Sequence, residues 1–80
     1  MRDVVRLAQV RAMLQSGKAK TIRETARLSL TEVADAVGVA VSTLWRWENN
    51  ERLPKGEAAI RYFDVLDELV DGLMRLGRFT

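Results

Sequence analysis

Residues 30–47 read LTEVADAVGVAVSTLWRW, and this stretch decides the fold. Apolar residues recur at helical spacing on both sides of Gly38. Ser29 and Glu32 have the three-residue spacing of a capping box, so a helix is expected to begin at Leu30. Gly38 readily takes the left-handed conformation that closes a helix, which places the end of this helix just before it.

The residues after Gly38 predict a second short helix and therefore a helix-turn-helix. Ala34 is small enough for two helices to cross closely over it. Leu44 and Trp47 are three residues apart and share the inward face of the second helix, which ends at Asn49. The opposite face is free to enter a groove, and it carries Val41, Ser42, Trp45 and Arg46, with Asn49 at its end.

Three further helices are expected around this motif, at about residues 3–16, 19–26 and 57–76. Val4, Leu7, Ala8 and Leu14 share one face of the first of them. Apolar and polar residues never alternate over the length of a strand, so no sheet is expected.

The predicted fold class is therefore all-α, a compact bundle of about five helices around a central helix-turn-helix. Residues 1–80 are expected to form one domain, which the length of 80 residues fits. Within it, residues 3–16 form an extra N-terminal helix, residues 19–56 the core module and residues 57–76 the C-terminal helix.

The composition excludes several classes of function. The chain has neither cysteine nor histidine, which rules out disulfides, thiolate chemistry, zinc fingers and histidine-based triads. No metal site, no cofactor and no enzymatic activity are expected, since the carboxylates have no diagnostic spacing. No apolar run approaches the ~20 residues of a membrane span or the core of a signal peptide. The lack of cysteine suits a cytoplasmic protein.

Charge is distributed unevenly along the chain, although its net value is only +2. Residues 1–29 hold seven basic and two acidic residues, whereas residues 57–80 hold three basic and five acidic ones. This asymmetry suits a protein that turns one face towards a polyanion.

Four short motifs resemble a known family. They are LSLTEVA at 28–34, VGV at 37–39, STLWRWEN at 42–49 and RLP at 52–54. Over about residues 19–70 the chain resembles the XRE family, the Cro and phage-repressor type of helix-turn-helix proteins. The resemblance implies a protein on the nucleoid that binds a duplex DNA operator and regulates transcription, as a repressor or a Cro-like switch.

In the resembled family the second helix of the motif is the recognition helix, which enters the DNA groove. Four of its residues are expected to read bases. Arg46 can bond guanine O6 and N7 together, which provides about 1–3 kcal/mol of discrimination, or else it contacts a phosphate. Val41 offers an apolar contact to a thymine methyl, and Ser42 a hydrogen bond or a helix cap. Trp45 and Trp47 cannot share a helical face, so Trp47 is expected in the core and Trp45 at the surface.

The resemblance implies further roles. Arg23 and Glu48 match positions that form a partly buried ion pair in the family. The chain departs from the family at Leu30, where many members have a phosphate-binding glutamine, and at Asn50, where many have glycine. Asparagine tolerates the left-handed turn. Candidate phosphate contacts are Lys18, Lys20, Thr43, Asn49, Arg52 and Lys55.

The C-terminal helix is more apolar than closing a core requires, which predicts a homodimer through residues 66–79. In the alternative, a monomer, the N-terminal helix covers this face. The expected dimer residues are Leu66, Leu69, Val70, Leu73 and Leu76, next to Met74 and Phe79.

Two alternatives remain open from the sequence, one with another function and one that still binds DNA through another architecture. The chain can be a protein-interaction module, similar to an antirepressor or antitoxin, that binds a protein partner through its apolar C-terminal helix. It can also be a winged helix of the excisionase or mercury-regulator type, which requires two strands after the helix-turn-helix.

Overall fold

This computed structural model describes residues 1–78 of the chain. These residues contain five α-helices joined by short turns and loops. They are α1 (Arg2–Gln15), α2 (Lys18–Thr25), α3 (Leu30–Val37), α4 (Val41–Glu48) and α5 (Gly56–Arg75). The all-α prediction is confirmed, and each helix ends within one residue of its expected position. The winged-helix alternative is wrong, because α5 occupies the residues where the strands of a wing would follow. None of the described helices is both long and apolar enough to cross a membrane.

Local chemistry at both ends of α3 fixes the helix-turn-helix. The Glu32 backbone N–H donates to Ser29 Oγ at 3.0 Å, and the Ser29 N–H donates to Glu32 Oε1 at 2.9 Å, so the predicted capping box is confirmed. These bonds lower the pKa of Glu32. Gly38 ends the helix at a φ of +85°, and Arg61 Nε of α5 donates to the Val37 carbonyl oxygen at 2.8 Å. Both ends of α3 are therefore held by specific hydrogen bonds.

One hydrophobic core joins the five helices. Ala34 is 1% exposed, as expected for the close crossing of α3 and α4. The buried residues of the hydrophobic core are Val10, Leu14, Ala19, Ile22, Val33, Ala34, Val37, Leu44, Trp47, Ala59, Tyr62, Leu66 and Leu73.

The expected inward face of α1 is partly wrong. Val4 is 63% exposed and Ala8 lies at the surface, whereas Val10 is fully buried and Leu14 nearly so. Leu7, half-buried, completes this stripe. α1 packs mainly on α5, and it turns the stripe with the larger aliphatic side chains towards that helix.

An aromatic pair connects α4 to α5. The Trp47 ring packs on the Tyr62 ring with centroids 5.4 Å apart and an interplanar angle of 27°. Trp47 is 4% exposed and Tyr62 is fully buried, so the prediction that Trp47 belongs to the core is confirmed. Burial raises the pKa of the Tyr62 phenol, because the charged phenolate is poorly solvated there. Its hydroxyl has no hydrogen-bond partner among the described residues.

A partly buried ion pair connects α4 to α2, as the resemblance implied. Arg23 Nε and Nη2 donate to the two carboxylate oxygens of Glu48 at 2.7 and 3.0 Å, and Nη1 donates to the Leu28 carbonyl oxygen at 3.0 Å. The Arg23 side chain is 12% exposed and that of Glu48 is 3% exposed. The hydrogen bonds with Glu48 raise the pKa of Arg23. The end of the recognition helix is thereby fixed in position and direction.

We expect Glu48→Ala to lower the free energy of unfolding by about 3 kcal/mol, since it leaves the Arg23 guanidinium buried without its counter-charge. The total free energy of unfolding of an 80-residue domain is only about 4–12 kcal/mol, so this loss is large. Urea unfolding followed by circular dichroism measures it. The double variant Arg23→Met/Glu48→Met should lower the free energy of unfolding by less than the sum of the losses for Arg23→Met and Glu48→Met measured singly.

Asp71→Ala is the matched control, because Asp71 pairs with Arg75 at 3.1 Å where both side chains are mostly exposed. It should change stability little. Equal losses for Glu48→Ala and Asp71→Ala would contradict the structural role of the buried pair.

Candidate nucleic-acid interface

One face of α4 is free of the core. Leu44 and Trp47 point inward, and both are buried. The opposite side is exposed and forms one continuous surface, because its members follow helical spacing. We call this surface the recognition face, and it consists of Val41, Ser42, Trp45, Arg46 and Asn49.

The recognition face combines a cation with two apolar side chains. Val41 and Trp45 lie one turn apart and are each 45% exposed, as expected for Trp45. Arg46 is exposed and takes part in none of the four ion pairs formed within residues 1–78. A guanidinium without a carboxylate partner and apolar groups beside it match what the edges of base pairs offer in the major groove.

The end of α4 turns sharply into the following loop. Asn50 has a φ of +59°, which is the left-handed conformation expected where the family has glycine. The Glu51 N–H donates to the Arg46 carbonyl oxygen at 2.9 Å and closes the helix end. Asn49 Nδ2 donates to the Trp45 carbonyl oxygen at 2.9 Å. The Asn49 amide is therefore turned back onto its own helix and retains its oxygen and one N–H for a ligand.

The candidate phosphate-contacting residues lie on several elements. Thr43 of α4 is half-buried, and Arg52 and Lys55 are exposed in the loop that leaves α4. Lys20 is exposed on α2. Lys18 instead lines a groove whose other residues belong to α1 and α5, among them Phe63, Asp67 and Val70. The structure thus places Lys18 beside α1 and α5.

The start of α3 differs from the pattern of the resembled family in the side chain at Leu30. Leu30 is half-buried and packs against the core, where a glutamine would be available to a phosphate. The capping box uses the N–H groups of Ser29 and Glu32, which leaves those of Leu30 and Thr31 at the helix start. The Glu32 carboxylate also lies there and opposes the approach of a phosphate.

Two of the expected dimer residues belong to the core of the single chain. Leu66 is fully buried and Leu73 is 6% exposed, so neither is available to a partner, and this part of the prediction is wrong. Their positions on α5 face the other helices, which the spacing alone did not reveal. Leu69 and Val70 are half-buried, and Leu76 is 74% exposed. Phe79 lies outside the described residues.

Sequence reasoning missed the arginines that connect helices and loops. Arg11 Nε of α1 donates to the Pro54 carbonyl oxygen at 3.1 Å, and Arg6 bonds both Asp3 and Asp64. Arg61 caps α3. Apart from the i,i+3 pair of Arg6 and Asp3, these contacts join residues far apart in sequence, so no sequence pattern indicated them.

Within residues 1–78 no cluster of three or more acidic side chains could hold a metal ion.

Comparison with known proteins identifies the family of the chain. The helix-turn-helix family model matches residues 20–73, which are 54 of the 80 residues. The match includes all of α3 and α4 and leaves α1 outside it. Searches of curated proteins and of solved structures gave no match. Because the matched region spans more than half of the chain and contains the recognition face, the chain belongs to the XRE-type helix-turn-helix family of DNA-binding regulators.

Proposed function

We propose that this protein is a transcriptional repressor of the Cro type that occupies a duplex DNA operator. The observation that carries the proposal is the recognition face, where Arg46 is exposed next to Trp45 and forms no ion pair within residues 1–78. A major groove about 12 Å wide accepts a single α-helix. A helix lodged there blocks access to a promoter by occupancy alone, without any catalytic step. The protein would act in the cytoplasm, on the nucleoid.

Each residue of the recognition face has a chemical role in this proposal. Arg46 bonds guanine O6 and N7, and Val41 and Trp45 contact thymine methyl groups. Ser42, at the start of the helix, either donates to or accepts from a base edge. Thr43, Asn49, Arg52, Lys55 and Lys20 hold flanking phosphates, which set register and orientation but carry no sequence information.

In this proposal the protein binds DNA as a homodimer. One copy measures 32 × 29 × 21 Å, and half-sites of a symmetric operator lie roughly 34 Å apart. Two copies are therefore needed to place two recognition helices in successive major grooves on one side of the duplex. The C-terminal end of α5 supports such a pairing, because Met74 is 57% exposed and Leu76 is 74% exposed beside half-buried Leu69 and Val70.

A protein-interaction module is the second candidate. The same exposed end of α5 favours it, together with Leu30, which packs on the core instead of reaching for a phosphate. Here the apolar surface near Leu76 would bind a different protein, and α4 would serve only as part of the scaffold.

A binding selection on a random duplex DNA library at near-physiological salt tests the proposal. We expect an enriched palindrome with half-site centres 10–10.5 base pairs, one helical turn, apart. An enriched asymmetric site would support DNA binding and contradict the dimer. No enrichment from folded protein would overturn the DNA-binding proposal and favour the protein-interaction module.

Arg46→Ala should weaken binding to the selected site by about 1–3 kcal/mol and relax the preference at one base pair. The reason is the loss of a bidentate contact to guanine. Competition measurements with a panel of single-base variants of the site provide the readout. Arg2→Ala is the matched control, because Arg2 is exposed on α1 and outside the four ion pairs of residues 1–78. A loss equal for every DNA sequence would assign Arg46 to a phosphate and contradict base reading.

A further inference from the structure

We propose that α1 adds a phosphate-binding site to the DNA interface, in a groove between α1 and the loop that follows α4. This inference rests on the proposed function, since the ligand is a backbone phosphate of the duplex that α4 reads. The groove has a volume of about 490 Å³ and is lined by Arg11, Gln15, Asn50, Arg52 and Leu53. We call it the α1–loop groove.

The polar residues that line the α1–loop groove all carry hydrogen-bond donors, and none is acidic. The lining contains two guanidinium groups and two side-chain amides, and no carboxylate belongs to it. Glu51 is exposed in the same loop but is not among the lining residues. An anion in the groove therefore meets hydrogen-bond donors from both walls.

Arg11 is held in place at this groove. Its Nε donates to the Pro54 carbonyl oxygen at 3.1 Å, and the residue is half-buried. This bond uses one donor of the guanidinium and leaves the Nη groups for a ligand. Holding the side chain in advance lowers the entropy cost of binding.

Ion pairing distinguishes Arg11 and Arg52 from Arg6 and Arg23. Arg6, on the same helix as Arg11, is neutralised by Asp3 at 2.8 Å and Asp64 at 3.0 Å. Arg23 is neutralised by Glu48. Arg11 and Arg52 take part in none of the ion pairs that residues 1–78 form. Two uncompensated guanidinium groups that line one groove favour a phosphate, whose oxygens fit their fork-like donors.

The position of the groove identifies the phosphate. Asn50 is the second residue after the end of α4, so the groove begins where the recognition face ends. A strand whose bases contact α4 continues past this point with its backbone exposed. The helix-turn-helix match begins at residue 20, so the contribution of Arg11 and Gln15 lies outside the matched module. α1 would extend the footprint of the module by one phosphate.

The salt dependence of binding to the selected duplex tests this site. We expect Arg11→Gln and Arg52→Gln each to make the slope of log K against log salt shallower by about 0.9, the value for one lost phosphate contact. The loss should be the same for matched and mismatched sequences. Arg2→Gln removes the same charge from the same helix away from the groove and should leave the slope unchanged. Unchanged slopes for Arg11→Gln and Arg52→Gln would overturn the site.

Two further arms separate a phosphate contact from a structural effect. Arg11→Lys keeps the charge and should retain the wild-type slope; a slope as shallow as that of Arg11→Gln would overturn the proposal. Duplexes with one neutral methylphosphonate at a time should include a position at which the wild-type protein and Arg11→Gln bind equally. If no position removes the difference, Arg11 does not contact DNA. A wild-type protein that binds no duplex defeats the proposed function itself, whereas binding with unaltered slopes defeats only this groove.

Discussion

The bidentate ion pair between Arg23 and Glu48 is the contact on which the rest of the structure depends. It joins α2 to the last residue of α4 inside the protein, where the Glu48 side chain is 3% exposed. Beside it, the Trp47 ring packs on Tyr62 and ties the same turn of α4 to α5. A short helix is marginal by itself, so its packing on α3 together with these two contacts, and not helix propensity, defines where its outer face points. Base recognition requires such fixed geometry, because bidentate contacts tolerate little displacement.

The arginines of this chain divide into two groups with different roles. Arg6 and Arg23 are paired with carboxylates, and Arg61 bonds a backbone carbonyl at the end of α3. These side chains fix helices relative to one another. Arg46 and Arg52 are exposed and unpaired within residues 1–78. The net charge is only +2, yet Arg46 on α4 and Arg52 in the loop after it are among the cations that form no ion pair within residues 1–78.

Much of the fold was predictable because its determinants are local. The Ser29 and Glu32 capping box and Gly38 set the bounds of α3, and each acts within a few residues along the chain. The face that α1 buries was not predictable in full, because the packing of α5 selects Val10 over Ala8. Likewise, spacing on α5 indicated an apolar face but not which of its residues belong to the core. The α1–loop groove joins residues some forty positions apart, and such a contact has no periodic signal.

The central claim, that DNA is bound by the exposed face of α4, is tested most directly by NMR. Uniformly ¹⁵N-labelled protein is titrated with the selected duplex, and changes in amide chemical shift are mapped onto the sequence. We expect the largest changes in residues 40–53, at the recognition face and the loop after it, with an additional change at Arg11 Nε. Changes concentrated in residues 66–76, with residues 40–53 unaffected, would contradict it.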